Sequence, residues 1–251
     1  MAEAVMPPDA SLQPLSQGQR VVDTFVAPSK TFTDILRSSS WWLPWLIGAV
    51  LSIAVGYTIQ QKVGWDKVYD NIMRQASVAQ QQKMEQMPAE QQAKIRNVSM
   101  TSTKIFVYAG PIVGLLFAVI VAGVLLATLN FGFGARAGFG QLFAGWYYAG
   151  LPMAIKWLLV VITLYAGADS DSFNIKNPVG TNIGYYLPLD MPKWLISLGT
   201  SIDVFTIWTL ILLTIGCSII GKISRGKAAA AVWGWWILIV LIGTGWAAIA
   251  G

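Results

Sequence analysis

Histidine is absent from this chain and cysteine occurs once, at Cys217. Those gaps exclude an intrachain disulfide, a Cys/His zinc site, a histidine-based triad and an imidazole general base. Charge is scarce too. Only 12% of the 251 residues are Asp, Glu, Lys or Arg, whereas a soluble domain carries about 25%. The deficit coincides with long apolar runs, 55% of residues are hydrophobic and mean hydropathy is +0.57. That excludes a disordered chain and argues against a water-soluble globule. The charges that remain are unbalanced, 17 basic against 12 acidic, for a net +5. In so apolar a chain the excess points to anionic lipid headgroups and membrane topology, not to nucleic acid.

Five runs are long enough to cross a bilayer, which takes roughly 20 mostly apolar residues at about 1.5 Å each. They extend from Trp41 to about Ile59, Ile105 to Leu129, Leu142 to Tyr165, Trp194 to Ile220, and Ala229 to Ile249. Only helices and closed barrels satisfy every backbone polar group in lipid. Period-two alternation is missing, so the expected fold is all-α, a polytopic bundle of five transmembrane helices. Tryptophans crowd the span ends (Trp41, Trp42, Trp45, Trp194, Trp233, Trp235 and Trp236), at the headgroup level indoles prefer. With the N-terminus inside, the inner segments hold seven Lys and Arg and the outer segments nine. Against that tally, the 222–228 linker is the densest in cations. Charge therefore leaves the orientation open.

Residues 1–18 are polar and carry Pro7, Pro8 and Pro14, the composition of a disordered leader. Residues 19–40 read as short amphipathic helices in the membrane interface. Val21, Val22, Phe25 and Val26 share one face; Phe32, Ile35 and Leu36 share another beyond Pro28. Arg20, Lys30 and Arg37 fall on the polar side, and Thr31 to Asp34 fits a capping box. Packing on the bundle's own face is the equal alternative. Residues 41–251 form the membrane domain. Within it, residues 62–104 are the one sizeable polar stretch, rich in Gln, Lys, Glu and Met, and read as an extramembrane helical hairpin between spans one and two. Pro88 should start a helix that runs on into span two.

Small residues recur every four positions as Gly48, Ser52 and Gly56 in span one, and as Gly110, Gly114, Ala118 and Ala122 in span two. That spacing stacks them on one face and lets two backbones approach. The bland reading is packing of these two spans on each other; the sharper one is a subunit interface, which would make a homo-oligomer. Pro111 and Pro152 should kink spans two and three. Lys156 and Asp203 are the ionisable residues well inside spans, each nine residues, about 13 Å, from the same side. Alone, each would cost about 2.5–3.5 kcal/mol to insert, so they should pair or line a polar pocket. As a pair they read first as a structural tie between spans three and four, second as a gate or ion relay.

Two motifs fail on inspection. The glycines around Gly132, Gly134, Gly138 and Gly140 follow a membrane helix rather than a strand, so they make no dinucleotide site. Asp169 to Phe173 begins like a calcium loop, but Phe173 replaces a ligand. Paired-aspartate proteolysis needs a second membrane carboxylate. No catalytic, cofactor-binding or metal-ligating residue is therefore assigned, and no cofactor is expected.

The segments Val22-Asp-Thr-Phe25-Val-Ala-Pro28-Ser-Lys-Thr-Phe32-Thr-Asp-Ile35 and Trp41-Trp42-Leu-Pro44-Trp open a recurring pattern. It continues through Gly140-Gln-Leu-Phe143, Tyr147-Tyr148-Ala-Gly-Leu-Pro152, Ile202-Asp203-Val-Phe205-Thr-Ile-Trp208 and Lys222-Ile-Ser-Arg-Gly226-Lys227-Ala228. In order and spacing, over about residues 19–248, the chain resembles the Yip1-domain family in its bacterial form. The resemblance implies five helices, a cytoplasmic N-terminus and an outward C-terminus. Eukaryotic relatives act in vesicle trafficking and bind Rab GTPases; nothing in this chain looks like their Asp-Leu-Tyr-Gly-Pro motif, so that role does not transfer. Some bacterial members look like accessory subunits of ABC-type exporters and their periplasmic adaptors. The expectation is thus a non-enzymatic inner-membrane scaffold that binds lipids and other membrane proteins. The alternative is a small transporter or channel built on Lys156 and Asp203.

Overall fold

A computed structural model describes residues 14–188 and 190–250; most of the expected leader lies outside these. The chain enters through α1 (Gln17–Val26) and α2 (Pro28–Arg37). Ser16 and Gln19 cap α1 reciprocally, the Gln19 N–H donating to the Ser16 hydroxyl and the Ser16 N–H to the Gln19 amide. Then come α3 (Trp42–Lys62), α4 (Trp65–Arg74), α5 (Val78–Glu85), α6 (Ala89–Tyr108) and α7 (Gly110–Ala127), the last extended by a π-helical turn, Thr128–Gly132. Next are α8 (Phe139–Ala149), α9 (Leu151–Tyr165), α10 (Lys193–Ser201), α11 (Val204–Gly221) and α12 (Arg225–Ala250). Among the described residues there is no strand, and an isolated bridge joins Asn182 and Asp203.

Five segments are long and apolar enough to cross a membrane: Trp42–Lys62, Gly110–Gly132, Phe139–Tyr165, Val204–Gly221 and Arg225–Ile249. The chain is an all-α, multi-pass membrane protein. Prolines set two of the breaks. A proline contributes no N–H to the helical ladder and favours the first turn of a new helix. So α6 ends at Tyr108 before Gly110-Pro111, and α8 ends at Ala149 before Leu151-Pro152. Pro88 stands just outside α6, as its N-cap.

The fourth span differs from the sequence expectation. Trp194 to Ile220 is not one helix: α10 is a separate short helix packed on α12, and the chain breaks at Ile202 before α11 begins. Asp203 causes the restart, because its Oδ1 accepts the N–H groups of Phe205 at 3.0 Å and Thr206 at 3.1 Å. It therefore stands at the mouth of the fourth span and not nine residues inside it.

Helices α1 and α2 fold back on the bundle. Phe32 and Ile35 are fully buried, and the Phe32 ring lies over Gly216 of α11, where an added Cβ would come within 2.7 Å of it. Three sequence expectations change here. Val21 and Phe25 pack inward while Val22 and Val26 face out, so the four do not share one buried face. Helix α2 starts at Pro28, not after Thr31, and the Thr31 hydroxyl donates to the Arg20 carbonyl instead of capping. Arg20 is not on the polar side; it is 1% exposed.

Outside the membrane, α4 binds the loop that follows α9. Asn71 Nδ2 donates to the carbonyls of Ser170 (3.0 Å) and Phe173 (2.8 Å), Lys67 pairs with Asp171 at 2.7 Å, and Lys193 reaches the Gln75 carbonyl. The 62–104 region and the 166–193 loop thus form one cap at one end of the bundle. Arg96 of α6 ties the cap together by pairing with Asp66 and Asp70 of α4.

Candidate functional site

Three features were singled out from sequence: an intramembrane ion pair, two small-residue faces and two kinks. Lys156 projects from α9 and its Nζ meets Asp203 Oδ2 at 2.8 Å. Thr181, from the loop before α10, donates its hydroxyl to the same oxygen at 2.5 Å. With Phe205 and Thr206 on Oδ1, Asp203 accepts four hydrogen bonds at 2% exposure. A carboxylate accepts about four, so this one is saturated. The Val204 N–H donates to the Thr181 carbonyl, and Asn177 and Asn182 exchange side-chain amide hydrogen bonds beside it. The pair therefore ties α9, α11 and the loop after α9 at one point.

The small-residue faces meet each other at Ser52 and Gly110. Ser52 Oγ donates to the Val107 carbonyl at 3.1 Å, and a Cβ on Gly110 would lie 3.0 Å from that hydroxyl. A Cβ on Gly56 would lie 2.9 Å from the Tyr108 ring. Glycine at Gly56 lets α3 lie close to α6, because a Cβ there would force the Tyr108 ring to shift. Ala118 and Ala122 are fully buried against α8 and the core. Gly48 and Gly114 behave differently: nothing lies within 4 Å of a Cβ added to either, and both border a cavity. At the Pro111 kink, the Trp45 indole N–H donates to the Pro111 carbonyl at 3.2 Å. At Pro152, Gly150 carries the break between α8 and α9.

Sequence reasoning missed a second polar cluster. Arg20 Nε donates to Asp34 Oδ2 at 2.6 Å, and Nη1 donates to the carbonyls of Ser38 (2.9 Å) and Ser40. The Arg20 carbonyl accepts the hydroxyls of Thr24 and Thr31, and Arg37 pairs with the other Asp34 oxygen. Burial alone would raise the Asp34 pKa. The hydrogen bonds from Arg37 and Arg20, with their charges, outweigh it and hold the carboxyl below its ordinary value. The cluster clasps α1 to α2 and to the chain entering α3. Its one sequence signal was that Thr24 and Thr31 fall among inward-facing apolar positions.

Helix α6 has no buried residue, and Ile95 and Val98 are exposed on it beyond the membrane end. A groove of about 440 Å³ between α4, α5 and α6 has Met73 and Met84 on its walls. Comparison with known families gives one finding: the Yip1 domain family model matches residues 22–247. No curated protein and no solved structure matches the chain.

Proposed function

The chain belongs to the Yip1 domain family, and from that premise we propose that it is a non-enzymatic scaffold that binds other proteins of the bacterial inner membrane. The observation that carries this reading is α6, a 20-residue helix with none of its residues buried. It bears Ile95 and Val98 on a face that water, not lipid, would otherwise meet. Exposed apolar residues on an ordered extramembrane helix suit a partner's surface. The groove beside it sets Met73 and Met84 among Arg74, Glu85, Gln92 and Arg96, an adaptable lining with charges to pair. In the orientation the family resemblance implies, N-terminus in the cytoplasm and C-terminus in the periplasm, this cap faces outward. A periplasmic adaptor of an ABC-type exporter fits there, with the transporter itself as the neighbour in the membrane.

The transporter or channel reading is weaker, because Asp203 has no acceptor capacity left for a moving ion and a transport path normally uses more polar groups than one pair. Purification from the native host in a mild detergent tests the scaffold. The wild-type chain should bring down a stable set of membrane proteins that Val98→Glu loses while remaining folded. Repeated recovery of the free wild-type chain would count against the proposal.

A further inference from the structure

All five spans border a cavity of about 1070 Å³ at membrane depth. Gly48 and Ser52 of α3, Gly114 of α7, Trp157 of α9, Thr209 of α11 and Trp236 of α12 are among its walls. Its size is at the upper end of ligand pockets, which hold about 300–1,000 Å³. Along α3 it extends from Pro44 to Ile59, about 22 Å at the helical rise, longer than one leaflet's share of a hydrocarbon core about 30 Å thick. The walls are mostly apolar, so water is a poor occupant and a hydrocarbon chain a good one.

A further observation identifies the rest of the occupant. At the cap end the cavity is bordered by Ser102, Thr103 and Lys176. Lys176 is exposed and makes no ion pair with a described residue, so the mouth is positive and offers two hydroxyls.

We propose that the cavity holds one anionic glycerophospholipid of the surrounding bilayer, with its acyl chains between the spans and its phosphate at Lys176. The open space at Gly48 and Gly114 belongs to this ligand. Close helix packing, which Gly56 and Gly110 serve, does not use it. The inference stands apart from the identity of any protein partner.

Native mass spectrometry of the full-length chain, extracted in mild detergent and exposed to phosphatidylglycerol or phosphatidylcholine, tests it. The wild type should retain one phosphatidylglycerol through activation that strips other lipids, at least tenfold more than phosphatidylcholine. The double variant Gly48→Leu with Gly114→Leu fills the cavity and should lose that adduct tenfold or more, while Gly123→Leu, which has equal room but lies away from the cavity, keeps it. Lys176→Glu lies outside the spans and should abolish the preference for the anionic lipid even if the double variant does not fold. A wild type that carries no lipid, or an undiscriminating ladder of lipids, would overturn the proposal. So would an adduct that survives in the double variant, or an unchanged preference in Lys176→Glu.

Discussion

Arg20 and Asp34 carry the largest electrostatic stake outside the membrane spans. Arg20 is 1% exposed and Asp34 10%, so the Arg20 charge has no water to fall back on. Removing it leaves Asp34 with Arg37 alone and strands the Ser38 and Ser40 carbonyls, at about 1–3 kcal/mol for a buried group left unpaired. Arg20→Ala should therefore loosen α1 from α2 and lower the melting temperature in detergent. Acid should do the same. The folded Asp34 carboxyl titrates below its ordinary value of 3.8, so its contribution is complete above that value and is lost as pH falls through the lower folded one. Between pH 5 and pH 2 the wild type should lose more melting temperature than Asp34→Asn does; parallel curves would refute the clasp. Of the two polar clusters, only one was legible from sequence. Lys156 and Asp203 are isolated charges in apolar runs, and the cost of leaving them bare demands a partner. Arg20 is flanked by polar residues and a short valine pair, a pattern that surface cations share. Its burial depends on how α1 and α2 fold on each other around Ala27, which no periodicity in either helix encodes.

At the scale of elements, the cap decides how the path through the membrane is drawn. Helix α4 and the loop after α9 are joined by Asn71, Lys67 and Lys193, so the first and third connections lie on one side. The short linker between α11 and α12, with Lys222, Arg225 and Lys227, lies at the other end. With Cys217 replaced by Ser, Lys94→Cys should react with a membrane-impermeant maleimide in spheroplasts. Gly226→Cys should react only after lysis. The reverse pattern would overturn the proposed orientation, and reaction of both from one side would overturn the five-span path. The spans themselves were readable, because apolar length is a direct physical requirement of lipid. Their interruptions were readable where proline caused them, at Pro111 and Pro152. The break at Ile202 was not, because an aspartate in an apolar run reads equally as a buried charge or as a helix cap. Its capping role appears only when the Phe205 and Thr206 amides are seen to use it.

For the molecule as a whole, polar groups tie the bundle together and apolar surfaces are left for neighbours. The Lys156–Asp203 pair latches α9 to α11 and to the loop after α9, the Arg20 clasp secures the entry, and α6 leaves Ile95 and Val98 exposed beyond the spans. On the proposed function, such a body holds partners and a lipid without moving a solute. Reconstitution into proteoliposomes, with proton and cation flux measured for the wild type and for Asp203→Asn, tests that claim most directly. Both should match protein-free vesicles, with the variant differing only in lower stability. Flux through the wild type that disappears in a folded Asp203→Asn variant would contradict it.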